Sequence, residues 1–217
     1  MKIVLITGLE KEFDRKLACA FVRENYKVYA ISEKQIDGVS LLPADIKEAA
    51  AALQKEEKFI DIYIDASDGR NPQDNFNVRS CLNEQVIKEL YDANVTRPMS
   101  MLEAFFPLLE AGENKRICFL TSAEASINET QGTDGYGYKM AKAALHNFLQ
   151  ITRNVLAPKG YSIRAFDPCL TVISAEMSAE AAFNYFTRRR GIERGDAQRD
   201  DEGNLVFRDA FGRQHTW

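Results

Sequence analysis

The sequence predicts an α/β fold: a doubly wound parallel sheet of Rossmann-like type, folded as a single domain. Two observations carry this. Short apolar runs recur along the chain and are continuous rather than alternating, as in strands buried on both faces. Longer amphipathic stretches separate them, and right-handed crossovers turn such a strand–helix series into a doubly wound sheet. The 217 residues suffice for one domain with a substantial core.

The elements follow in order. "KIVLITG" (2–8) is a buried strand, and residues 14–25 form a helix with Leu17, Ala18, Phe21 and Val22 on one face. "KVYAIS" (27–32) is the next strand, and "VSLLPAD" (39–45) is a weaker third. An alanine-rich helix at 46–57 leads into "FIDIYIDAS" (59–67). A long helical region covers 84–111, "RICFLTS" (116–122) is a strand, and 136–157 has strong helical periodicity. "SIRAFDPC" (162–169) closes the series, so strands are expected near 2–7, 27–31, 59–65, 116–121 and 162–167. Beyond it, 175–190 reads as a helix ending in the solvated run Arg188–Arg190, 191–203 as polar loop, and 204–217 as strand-like. Phe183, Tyr185 and Phe186 read as a packed core helix, with an apolar lid as the alternative.

Composition excludes several classes of function. A net charge of −4 gives no electrostatic case for nucleic acid or an anionic membrane as partner. No stretch approaches membrane-spanning length and the first apolar run is too short for a signal peptide, so a cytoplasmic protein is expected. The four cysteines are far apart with no C-x-x-C pairing, and no metal site is expected; three lie in apolar runs, where buried free thiols are usual.

Two stretches carry chemistry. The first is the turn "ITGLEKEFDRKLA" (6–18), a strand, a Thr-Gly turn and a helix start, as in many nucleotide-binding domains. The second is "GYGYKMAKAALHNFL". Tyr138 and Lys142 lie four apart, on one face of one helix. An ammonium beside a phenol stabilises the phenolate and lowers its pKa, so the tyrosine can exchange a proton with a carbonyl or alcohol oxygen. Ser122 ends a strand sixteen residues earlier, and Asn94 interrupts the preceding helical region. Taken singly, each has a plainer reading: Tyr138 in the core, Lys142 as a surface charge, Ser122 as a turn cap, and Asn94 as a kink.

As an ordered set these residues resemble the Asn-Ser-Tyr-Lys tetrad of the short-chain dehydrogenase/reductase family, and "YKMAKAAL" resembles its Y-x-x-x-K segment. The resemblance covers roughly the first 170 residues. It implies an oxidoreductase using NAD or NADP on a small carbonyl or alcohol. Tyr138 would be the acid/base, and Lys142 would hold the nicotinamide ribose and tune Tyr138. Ser122 would orient the substrate oxygen, and Asn94 would support a relay water. "PADI" places Asp45 beside the adenine, "IDIYIDAS" resembles the strand ending in N-N-A-G and brings Ala66 to the cofactor, and "SIRAFDPC" brings Pro168. Thr7 and Gly8 would line the phosphates, and Ser32 could accept a 2′-phosphate, with Glu33 repelling it and Lys34 compensating.

The sequence departs from this pattern. Of T-G-x-x-x-G-x-G only Thr7 and Gly8 remain, with Glu12 and Asp14 at the other glycines; N-N-A-G reads "DASD" (65–68), and Cys169 replaces the glycine of Pro-Gly. Side chains at two positions expected to need φ > 0 predict weakened cofactor binding. The alternative is a cofactor-poor binding or regulatory protein on the same fold, without dehydrogenase activity. A homodimer or homotetramer is expected, packed through helices at 95–111 and 138–157.

Overall fold

The strands are β1 (Ile3–Ile6), β2 (Lys27–Ile31), β3 (Val39–Leu42), β4 (Ile62–Asp65), β5 (Arg116–Leu120), β6 (Ser162–Asp167) and β7 (Phe207–Asp209). In the computed structural model, which describes residues 1–77, 79, 81–187 and 202–217, they form one seven-stranded sheet in the order β3-β2-β1-β4-β5-β6-β7. Every neighbouring pair is parallel. Strand side chains alternate between two cores, which explains the continuous apolar runs. Leu5, Tyr63, Phe119 and Ala165 face one layer, while Val4, Ile64, Cys118 and Phe166 face the other.

The helices are α1 (Glu12–Arg23), α2 (Ile46–Glu56), α3 (Glu84–Tyr91), α4 (Arg97–Ala111), α5 (Tyr136–Leu156) and α6 (Ala175–Thr187). Leu53 of α2, Phe105 of α4 and Leu145 of α5 bury against the first face; Leu17 and Phe21 of α1 and Phe186 of α6 bury against the second. Tyr185 and Phe186 are fully buried, so this aromatic group is core packing rather than a lid. The strand order reverses between β1 and β4, the place in such sheets where ligands meet the strands' carboxyl ends. Among the described residues no helix is long and apolar enough to cross a membrane.

Several boundaries differ from the sequence reading. The third strand stops at Leu42 because Pro43 follows and Asp45 caps α2, its Oδ1 accepting from the amides of Lys47 (2.9 Å) and Glu48 (3.0 Å). The fourth begins at Ile62 rather than residue 59. The region 84–111 is broken by a π-turn, Asp92–Thr96, where the side-chain amide of Asn94 inserts into the helical ladder and donates to the Leu90 carbonyl at 2.9 Å. The final strand-like stretch keeps only three residues as β7, since Asp209 Oδ1 accepts from the amides of Phe211 (3.0 Å) and Arg213 (2.8 Å) and turns the chain. Cys118 is buried and Cys169 half-buried, but Cys19 and Cys81 are exposed; Cys19 lies on the outer face of α1. The basic run 188–190 and residues 191–201 of the expected loop lie outside the described residues.

Candidate active site

A cleft of about 500 Å³ opens at the carboxyl edge of the sheet, lined by groups from the ends of β4, β5 and β6, the start of α1, and the C-terminal segment. Tyr138 reaches it from the first turn of α5. That turn is anchored by Asp74, whose two carboxylate oxygens accept from the amides of Gly137 (2.9 Å) and Tyr138 (2.8 Å). Lys142, one turn further along, is fully buried and donates to the carbonyls of Ser67 (2.6 Å) and Leu120 (3.3 Å). Tyr138 and Lys142 are therefore core residues by burial and still share one site.

Between them lies Asp68. The Tyr138 hydroxyl donates to Asp68 Oδ1 at 2.6 Å, and Lys142 Nζ stands 3.8 Å from the same oxygen. The Lys11 ammonium pairs with Asp68 Oδ2 and also donates to the Asp68 carbonyl at 3.1 Å. The Arg70 guanidinium lies 3.9 Å above the Tyr138 ring and binds Glu124 at 2.8 Å. Burial pushes the Asp68 carboxyl up, but Lys142 and Lys11 outweigh it and hold it at about 2. Burial lowers Lys142 to about 8 against the opposing charges of Asp68 and Asp65. The expected lysine-tuned phenol is absent from this arrangement: burial and the Asp68 carboxylate push Tyr138 well above the ordinary tyrosine value.

Asn94 is fully buried and takes both backbone groups of Gly69, accepting from its amide at 3.1 Å and donating to its carbonyl at 2.9 Å. It braces the segment carrying Asp68, and a Cβ at Gly69 would lie 2.7 Å from that of Ala93. Ser122 lines the same cleft and also caps the short turn after β5, accepting from the Glu124 amide at 3.2 Å. The plainer readings of both residues are thus seen, Asn94 at the helix kink and Ser122 as a turn cap, and Ser122 also lines the cleft.

At the opening turn, Thr7 Oγ1 accepts from the Ala66 amide at 3.1 Å and ties β1 to β4. A Cβ built on Gly8 meets nothing within 4 Å, so space is open there. Glu12 and Asp14 lie within α1, and neither has positive φ; among the described residues the non-glycine positions that do are Asn25, Lys115 and Cys169. The predicted left-handed strain is therefore absent. The chain enters the helix two residues earlier than expected, with Asp14 Oδ2 accepting the Lys11 amide at 3.0 Å at the helix start. Glu12 is exposed, whereas Asp14 is buried on the cleft wall, where burial raises it to about 6. Cys169 does adopt the left-handed backbone of the missing glycine, φ 51°, held by a 2.8 Å bond from its amide to Asp167.

The remaining predicted residues divide between cleft and periphery. Ala66 and Pro168 line the cleft. Ser32 lies apart, accepting from the Lys34 amide at 3.0 Å and donating to Glu10 at 3.3 Å, while Lys34 Nζ pairs with Glu10 at 3.3 Å. Asp45 caps α2 as described, so its carboxylate already serves the backbone. The sequence reading missed Asp68, Lys11, Arg70, Arg213 and His215 as cleft residues. His215 is held by Glu129 at 2.6 Å, and Trp217 packs on His146 with ring centroids 4.8 Å apart. Among the described residues no group of three or more His, Cys, Asp or Glu could hold a metal ion.

A family model described as short chain dehydrogenase matches residues 2–184. An uncharacterised oxidoreductase of Saccharomyces cerevisiae is 31% identical over 78 residues, 36% of this chain and 30% of that protein. Another, of Schizosaccharomyces pombe, is 26% identical over 98 residues, 45% of this chain and 38% of that protein. The chain covers about a third of the length of these relatives. Among solved structures, the carbonyl reductase Sniffer of Drosophila melanogaster superposes with a TM-score of 0.81 at 14% identity, over 100% of both chains. A Pseudomonas aeruginosa carbonyl reductase in complex with NADP gives 0.78 at 20% identity, also over 100% of both. At such identities the likeness is one of fold, and it agrees with the strand order and the switch point between β1 and β4. Since the family model spans all but the C-terminal part of the sequence, the chain belongs to the short-chain dehydrogenase family.

Proposed function

We propose that the chain is an oxidoreductase that uses NAD or NADP to interconvert a small carbonyl and an alcohol. One observation carries the reading: Tyr138 and Ser122 line one cleft at the switch point of a parallel sheet, and the buried ammonium of Lys142 stands behind them, 3.8 Å from the Asp68 carboxylate that the Tyr138 hydroxyl meets. Family membership supports it, as do the relatives named oxidoreductases and the structural neighbour bound to NADP.

The residues present fit a dinucleotide, with one obstruction. Gly8 leaves open space at the opening turn, and α1 begins at the cleft, which Lys11, Phe13 and Asp14 line. Lys11 and Lys142 supply two ammonium groups for phosphate and ribose. Asp14 and Asp68 place carboxylates in the same region.

The cofactor supplies or accepts a hydride at the substrate carbon. The chain's own part is proton handling and orientation. Ser122 fixes the carbonyl oxygen by a hydrogen bond, and Tyr138 gives its hydroxyl proton to that oxygen during reduction. Lys142, positive at neutral pH beside the ring, steadies the phenolate left behind. Asn94 holds Gly69, and with it the cleft floor, in place. Such positioned proton transfer contributes about 10²–10⁴-fold to rate.

A second reading is favoured by Asp68: a carboxylate on the Tyr138 hydroxyl suits a protein that binds without turnover. A thermal-shift screen with the four nicotinamide dinucleotides separates the two. The oxidoreductase reading predicts a raised midpoint with at least one of them; no shift at millimolar concentration favours the second. The chain assembles as a homodimer or homotetramer through α4 and α5, where a groove of about 400 Å³ is lined by Met99, Phe106 and Phe148 and where Ile151 and Val155 of α5 are exposed.

A further inference from the structure

We propose that Asp68 is a built-in anionic occupant of the cleft, which must swing aside before nucleotide can enter and which thereby sets the affinity for it. The proposal rests on the cofactor reading above. Four groups converge on this one carboxylate: the Tyr138 hydroxyl, the ammonium groups of Lys142 and Lys11, and the Arg70 guanidinium, whose Nε is 3.8 Å away. The two ammonium groups a pyrophosphate and ribose would use are therefore already engaged by an anion of the chain itself. The Asp68 side chain is 22% exposed and that of Lys142 is 0% exposed, so these attractions are less screened than surface ion pairs.

The carboxylate can leave without unfolding its surroundings. Both backbone groups of the next residue, Gly69, are fixed by Asn94, so displacement takes a side-chain rotation and not a shift of the loop. Arg70 offers the alternative partner: its side chain is 52% exposed and reaches from Asp68 toward Glu124 at the cleft mouth. When Asp68 rotates toward Arg70, the Tyr138 hydroxyl is released for a substrate oxygen and Lys142 for the ribose. The carboxylate thus blocks both halves of the proposed reaction at once, and nucleotide binding has to displace it.

The test is titration calorimetry of the four dinucleotides against the unaltered protein, Asp68→Asn and Asp68→Gly. Asn keeps the side-chain volume and removes the charge; thermal denaturation verifies that both variants fold. Affinity is expected to rise about tenfold or more in Asp68→Gly, with Asp68→Asn between. The unliganded proteins give a second readout. Phenolate absorbance, taken as the difference from the matching Tyr138→Phe protein, shows Tyr138 ionising at lower pH in Asp68→Asn than in the unaltered protein. Equal or weaker nucleotide affinity in both variants, or an unmoved Tyr138 titration, overturns the proposal and leaves the cofactor reading standing. If none of the three proteins binds any dinucleotide at millimolar concentration, the cofactor reading falls and this proposal falls with it.

Discussion

Tyr138 donates its hydroxyl hydrogen to Asp68 across 2.6 Å, with Lys142 3.8 Å from the accepting oxygen. A phenol bonded to a carboxylate keeps its proton, so this resting arrangement favours the protonated tyrosine, the form that donates during carbonyl reduction. Lys142 is attracted to Asp68 rather than left free to act on the phenol. The three residues form one electrostatic unit, and altering any of them changes the other two.

Lys142→Met removes the buried ammonium while keeping similar length. Nucleotide affinity and turnover are both expected to fall about tenfold or more, because one group serves ribose binding and phenolate stabilisation. Calorimetry and steady-state rates measure the two separately. A fall in rate with unchanged affinity would remove the ribose role.

Asn94→Leu deletes the side chain that satisfies both backbone groups of Gly69 and the Leu90 carbonyl. Buried polar groups left without partners destabilise the fold by about 2–4 kcal/mol in total. A urea unfolding series reads this directly. A change under about 0.5 kcal/mol, the usual range for surface substitutions, would mean that Asn94 does not brace the cleft floor.

Asp14 makes stability depend on pH with a defined sign. Its folded-state value is about 6, raised by burial from 3.8. Between these values the folded state binds more protons than the unfolded one, so the contribution of Asp14 to stability is full below about pH 4 and is lost as pH rises through 6. The loss approaches about 3 kcal/mol, two pH units at about 1.4 kcal/mol each. Asp68, held at about 2, acts in the opposite sense in a lower window, losing its contribution as pH falls from about 4 toward 2. Asp14→Asn keeps an acceptor for the Lys11 amide and removes the decline between pH 4 and 6. Urea midpoints of both proteins at pH 5 and 7 check it; parallel pH profiles would refute the assignment.

The exposed face of α4 and α5 predicts self-association. Ile151→Glu with Val155→Glu places charges on two residues that are 56% and 57% exposed, so the fold is retained while the interface is lost. Light scattering should show an oligomer for the unaltered protein and a monomer for the variant. A monomeric unaltered protein at micromolar concentration contradicts the expectation.

Most of the fold was legible because both faces of the sheet are covered. Runs such as Ile3–Ile6 and Arg116–Leu120 have no solvent face to blur them. The set Asn94, Ser122, Tyr138 and Lys142 was legible through order and spacing. Asp68 was not. It was read as a lost glycine, because a sequence shows which residue is missing more readily than what the new side chain touches, and its partners Lys11 and Tyr138 lie 57 and 70 residues away. Asp14 misled for a related reason. The glycine pattern implies left-handed backbone, whereas α1 starts early, with the Asp14 carboxylate accepting the Lys11 amide, and Glu12 and Asp14 take helical backbone instead. At Asp45, which the resemblance places beside adenine, the structure adds a helix cap made through one carboxylate oxygen.

The central claim is that Tyr138 transfers a proton while hydride moves between cofactor and substrate. The most direct measurement follows the absorbance of reduced nicotinamide with a panel of small aldehydes and ketones, comparing the unaltered protein with Tyr138→Phe. The unaltered protein is expected to oxidise the cofactor in a substrate-dependent way, with a loss of about 10²–10⁴-fold in the variant and the fold intact. Turnover that survives in Tyr138→Phe, or no turnover by the unaltered protein with any carbonyl at saturating cofactor, would contradict it.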